Sequence, residues 1–139
     1  VIQTDLDDGL QTFDDHSFDV VILSQTLQAV KFPDRLLSEM VRVGGEGIVT
    51  FNNYGHWRYR LQMLTGHVPV GGPRMGHWFD NSNIHMCTVA DFEALCADRA
   101  IEVLQRSTLD GAPGGSLATR YLPNLFTGGA VYRIRRRRS

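Results

Sequence analysis

Apolar residues in this chain fall into two kinds of run. Phe18-Asp19-Val20-Val21-Ile22-Leu23 is almost continuously apolar and rich in β-branched residues. That is the pattern of a strand covered on both faces, as in a parallel sheet flanked by helices. Gly47-Ile48-Val49-Thr50-Phe51 repeats it and is closed by Asn52-Asn53. Between the two, Leu36, Leu37, Met40 and Val41 occupy the i, i+1, i+4 and i+5 positions of one helical face. Pro33 suits the first helical turn, Arg35 and Glu39 have the spacing of an i,i+4 pair, and Gly44-Gly45 suits the helix end. Strand, helix and strand in about 35 residues make a βαβ unit with a right-handed crossover.

The run Val1 to Asp5 is also strand-like and leads into an acidic, turn-rich stretch. A second helix is predicted from Trp57 to Leu64, stopping at Gly66. From His67 to Ser82 the chain holds three Gly and two Pro, the composition of a loop or lid. Thr88-Val89-Ala90-Asp91 has the form of a capping box with Asp in the usual Glu position. Val89, Phe92, Leu95 and Cys96 then form the buried face of a third helix. Ile101 to Leu104 reads as a strand, Asp110 to Gly115 as a wide turn, and Ala130 to Ile134 as the last strand. No repeat or linker divides the chain, so residues 1–134 are expected to form one α/β domain, with 135–139 a basic tail.

Composition narrows the function. A chain of 139 residues is long enough for one core. A formal net charge of −1 supplies no global field for nucleic acid or acidic lipid, which makes both unexpected partners. No apolar run approaches the roughly 20 residues of a membrane helix. Cys87 and Cys96 are the only cysteines and suit a structural role in a reducing, cytoplasmic setting. The chain begins inside a strand-like run at Val1, so upstream sequence is expected to be missing.

In open α/β sheets, ligands bind beyond the carboxyl ends of the strands. Asp5, Ser24-Gln25 and Asn52-Asn53 stand at three such exits. An acid there accepts from an amino group or a ribose hydroxyl, and a Ser-Gln pair offers donors and acceptors without charge. The same residue types also make turns and caps. Tyr54-Gly55-His56-Trp57-Arg58-Tyr59-Arg60 follows a strand exit, which makes Tyr54 and His56 candidates for chemistry and Arg58 for holding a carboxylate. Alternatively, Trp57 and Tyr59 pack the helix while His56 caps it; for Trp57 a core position is expected. His67, His77 and His85 lack metal-ligand spacing, and no metal site is expected. Asn83 and His85 either face an acceptor pocket or fix the loop before the third helix. No nucleophile motif occurs, and Cys96 lies on an apolar helix face. Asp14-Asp15-His16 reads as a solvated turn, and Arg135 to Arg138 as a frayed terminus.

The order Asp5, Phe18-Asp19-Val20-Val21, Ser24, the helix Leu36 to Val43 and a glycine-introduced strand resembles the second half of a class I S-adenosylmethionine-dependent methyltransferase. That resemblance implies a Rossmann-like sheet lacking its first strands and glycine-rich loop, with an antiparallel C-terminal strand pair. It implies cofactor contacts from Asp5 and Leu6 at the adenine and from Ser24, Gln25 and Leu27 at the methionine end. "VILSQTLQAV", "FNNYGHWRYRLQML", "NIHMCTVADFEALC" and "LPNLF" are similar to the MetW family of methionine biosynthesis proteins. This closer resemblance implies an accessory partner of a homoserine O-acyltransferase; the alternative is an active methyltransferase on a small molecule. In the superfamily's sheet order, 3-2-1-4-5-7-6, two strands separate the one at residues 1–5 from the one at 18–23. Without them the strand at 18–23 presents an apolar edge, at which a homo-oligomer or a rearrangement of the edge is expected. The contact surface for the acyltransferase is expected in the aromatic, basic segment from Tyr54 through the glycine-rich loop.

Overall fold

The computed structural model describes residues 5–70, 78–80, 84–108 and 121–138. The expected strand at residues 1–5 therefore lies outside the described residues except for Asp5. So do the turn at Asp110 to Gly115, His77, Asn83 and Ser139.

Four strands form one sheet: β1 (Phe18–Ser24), β2 (Gly44–Asn52), β3 (Ile101–Thr108) and β4 (Gly129–Arg136), in the spatial order β1-β2-β4-β3. β1 and β2 are parallel, with Phe18 opposite Gly44 and Ser24 opposite Thr50. β4 is antiparallel to both β2 and β3. This is the expected α/β sheet with an antiparallel end. Helix α1 (Pro33–Val43) makes the β1–β2 crossover, α2 (Trp57–Leu64) and α3 (Val89–Asp98) lie between β2 and β3, and the short α4 (Pro123–Phe126) precedes β4.

The core sits on one face of this sheet. Leu36, Leu37, Met40 and Val41 of α1 are all buried, as their spacing predicts, against Val49 and Phe51 of β2 and Tyr132 and Ile134 of β4. α3 adds Val89, Phe92 and Cys96 to the same cluster. Phe51, Phe92 and Tyr132 meet at its centre, with ring centroids 4.6 to 5.8 Å apart. The buried Tyr132 still reaches a polar partner, its hydroxyl donating to Glu93 Oε1 at 2.7 Å.

Several local expectations change. β1 is apolar enough for two covered faces, yet only Val21 and Leu23 turn towards α1, while Phe18, Val20 and Ile22 are exposed on the other face. Gly44 does not end α1 in a left-handed turn. It has extended backbone and is itself the first residue of β2. Its need for glycine is spatial: an added Cβ would lie 2.7 Å from Val21 Cγ2. Glu39 pairs with Arg42 rather than Arg35, and the Arg35 guanidinium instead lies 4.9 Å from the centre of the Phe32 ring. β4 extends to Arg136, so the arginine run begins inside the sheet, with Arg135 paired to Glu102 at 2.8 Å.

Candidate functional site

Parallel pairing brings the carboxyl ends of β1 and β2 to one rim. At that rim the Gln25 N–H donates to both the carbonyl oxygen and Oγ1 of Thr50, at 3.1 and 3.0 Å. These bonds hold Gln25 in the left-handed region at φ +52°, strained for a residue with a side chain. Thr26 Oγ1 donates to the Ser24 carbonyl at 2.7 Å and tightens the same turn. Ser24 and Gln25 are both exposed there.

Asp5 stands at the start of a 3-10 turn, Leu6–Asp8, and its Oδ1 accepts from the Asp7 N–H at 3.0 Å. Asp7 in turn accepts the Lys31 N–H at 2.8 Å. The turn after Asp5 is thereby tied to the loop that leaves β1. Leu6 is half-buried and packs against the core, whereas Leu27 is a core residue and lies behind the rim rather than on it.

Two polar side chains at the rim are consumed internally. Gln28 is 2% exposed; its amide donates to the Asn52 carbonyl at 2.9 Å and accepts the Asn52 N–H at 3.2 Å. The Gln28 carbonyl also accepts from the His85 N–H at 3.0 Å, and His85 Nε2 lies 3.2 Å from the Lys31 carbonyl oxygen. His85 thus fixes its own segment to the loop after β1. Asn53 is fully buried and its side chain makes four hydrogen bonds: Nδ2 donates to the carbonyls of Asn124 and Thr127, and Oδ1 accepts from Gly55 and Val89. The sequence marks Asn53 as a rim residue, but the fold uses it as a strut. Gln28 carries only a weak signal in the sequence, a single amide inside the apolar run Leu27 to Val30.

Tyr54 is buried, its N–H donating to the Cys87 carbonyl at 3.0 Å and its ring 5.0 Å from that of Tyr59. His56 Nδ1 accepts the Arg58 N–H at 3.3 Å and caps α2, beside Trp57 and Tyr59. Trp57 is 41% exposed rather than in the core. The structure therefore brings Ser24 and Gln25 together at the rim and sets Tyr54 and His56 in the turn that launches α2.

A separate cleft of about 270 Å³ is lined by Leu6, Asp7, Phe32, Arg35, Glu39 and Arg99, among others. Its walls carry both signs of charge, and Ser24 and Gln25 do not line it. Burial pushes the thiols of Cys87 and Cys96 up to about 12, which leaves them protonated and unreactive near neutrality. Among the described residues, no group of three or more His, Cys, Asp or Glu is placed to hold a metal ion, and no helix is long and apolar enough to cross a membrane.

Residues 1–134 match the family described as methionine biosynthesis protein MetW. A curated relative from Rhodopirellula baltica, the bifunctional methionine biosynthesis protein MetXA/MetW, is 34% identical over 138 residues, 98% of this chain and 22% of the relative. The chain thus spans about a fifth of that relative's length. Among solved structures, an S-adenosylmethionine-dependent methyltransferase from Mesorhizobium loti matches with a TM-score of 0.62 and 16% identity, over 96% of this chain and 68% of that one. A possible histamine N-methyltransferase from Thermotoga maritima matches with a TM-score of 0.60 and 17% identity, over 94% and 61%. These structural likenesses carry the fold: a Rossmann-like methyltransferase sheet.

Proposed function

The chain belongs to the MetW family of methionine biosynthesis proteins, and from that premise we propose that it serves as a methyltransferase-fold accessory partner of a homoserine O-acyltransferase in the cytoplasm. The observation that carries this reading is the relative in which a MetW module is joined to a second methionine biosynthesis module in one polypeptide. Fusion fixes two modules at high effective concentration, and modules that work in contact gain most from it. The polar groups around the rim support the same reading. Asn53 and Gln28 are spent on holding the fold, Tyr54 is buried, and His56 caps a helix.

S-Adenosylmethionine binding is the second reading, favoured by the fold of the neighbours. Asp5, Leu6, Ser24 and Gln25 would hold the cofactor by hydrogen bonds and apolar contact. The fit is partial, because Leu27 is packed in the core.

Co-purification with the acyltransferase, and the acyltransferase rate with and without this protein, test the leading reading. A complex and a changed rate are expected; no complex and an unchanged rate overturn it. Calorimetric titration with S-adenosylmethionine tests the second, which saturable heat would support and its absence would remove.

A further inference from the structure

Helix α2 presents its apolar side to solvent. Trp57, Leu61 and Leu64 stand at i, i+4 and i+7, one face of a helix, and are 41%, 50% and 82% exposed. Met63 and Val68, exposed as well, add to the apolar surface of the segment. The half-buried positions are Tyr59 and Gln62, and Gln62 Oε1 is buried with no hydrogen-bond partner among the described residues. An amphipathic helix ordinarily turns its apolar stripe to the core. Here the stripe faces away from the core of the described residues, and exposed apolar patches of this kind mark interaction surfaces.

Charge indicates what covers the stripe. Between Glu46 and Asp80 the chain has no acidic residue, while Arg58 and Arg60 stand in the first turn of α2. The Arg58 guanidinium lies 5.6 Å from the Trp57 ring centre, beside the stripe itself. Two copies docked through α2 about a two-fold axis would bring these arginines together with no carboxylate from the segment to offset them, a repulsive arrangement. A partner with an apolar groove and an acidic rim complements both features.

We propose that the Trp57–Leu61–Leu64 stripe of α2 is the docking surface for an apolar, acid-rimmed groove on the acyltransferase. This rests on the partner reading given above. Calorimetry with the purified homoserine O-acyltransferase compares the unaltered protein with Leu61→Asp/Leu64→Asp and with Ile22→Lys, which alters the open face of β1. The unaltered protein and Ile22→Lys bind alike. The double substitution weakens binding by about tenfold or more, the loss typical of removing interface anchors, and its melting temperature stays unchanged because both side chains are already exposed. Arg58→Glu slows association most at low salt. Unchanged binding by the double variant overturns the docking surface and leaves the partner reading intact. No binding by the unaltered protein overturns both. Self-association that disappears in the double variant, with acyltransferase binding preserved, makes a second copy the occupant and overturns the proposal.

Discussion

Asn53 Oδ1 accepts the backbone N–H of Val89 at 3.1 Å, joining the exit of β2 to the first residue of α3. The same oxygen accepts Gly55 N–H, and Nδ2 donates to carbonyls 71 and 74 residues along the chain. One buried amide therefore ties the exit of β2 to both α3 and the α4 segment. Asn53→Ala leaves two donors and two acceptors short of a partner in a buried site, at a cost of roughly 3–5 kcal/mol. Asn53→Asp sets a carboxylate against two carbonyls and does no better. Urea unfolding measures the loss; a change within about 0.5 kcal/mol for Asn53→Ala contradicts the strut.

Arg42 plays a comparable part on the surface. Its guanidinium donates twice to Glu39, at 2.9 and 2.7 Å, once to Asp15 at 2.6 Å, and to the carbonyls of Phe13 and Leu10 at 3.1 Å. The hydrogen bonds to Arg42 hold the carboxyls of Glu39 and Asp15 below the ordinary carboxylate range. Both folded values lie below the unfolded ones, so their contribution is present above about pH 4 and is lost as pH falls through the lowered values. Arg42→Ala releases residues 10–16 from α1 and speeds limited proteolysis there. Arg42→Lys, lacking the planar fork, leaves cleavage fast. Cleavage no faster than in the unaltered protein rejects this role.

The β1–α1–β2 unit was legible because its code is local. Continuous apolar runs flank a period-3.6 pattern over a short stretch, and all four residues assigned to the α1 face are buried. The rim was legible as a place but not in its details. Whether Asn53 faces a ligand or braces the fold depends on Asn124 and Thr127, which no local pattern connects to it. Trp57 misled because a large aromatic is ordinarily buried, and its exposure depends on which face of α2 meets the sheet. Continuity of the apolar run in β1 implied two covered faces, whereas among the described residues helices cover only one.

The two thiols give a pH signature. Burial first, and then the nearby Asp91 and Glu93 carboxylates, push Cys87 and Cys96 to about 12, against about 8.5 in an unfolded chain. Their contribution to stability is complete below about pH 8.5 and declines as pH rises towards 12, by roughly 1.4 kcal/mol per unit for each thiol at most. Urea midpoints taken from pH 8 to 10.5 should fall, and less steeply for Cys96→Ala. Thiol labelling at pH 8 should be slow in the folded protein and fast in urea. Rapid labelling of both cysteines without denaturant contradicts this assignment.

The open face of β1 yields the last prediction. Phe18, Val20 and Ile22 alternate along one strand at 46%, 46% and 67% exposure, and among the described residues nothing pairs with the strand's outer edge. Farther across the same face, Arg133 is paired with Glu46 and Arg135 with Glu102. The apolar surface is therefore concentrated at the edge, where unpaired backbone groups also wait for a strand. A second copy docked there would supply both the strand and the apolar cover. Antiparallel pairing centred on Val21 sets Val20 opposite Ile22 of the partner and continues the sheet through two-fold symmetry. Sedimentation velocity should show concentration-dependent association that Val20→Lys/Ile22→Lys abolishes while the melting temperature holds, since both side chains are already exposed. Leu23→Lys, by contrast, places a charge in the core and should unfold the chain. Association that survives the double lysine variant rejects β1 as the contact, and a protein that stays monomeric at every concentration rejects the second copy as its cover.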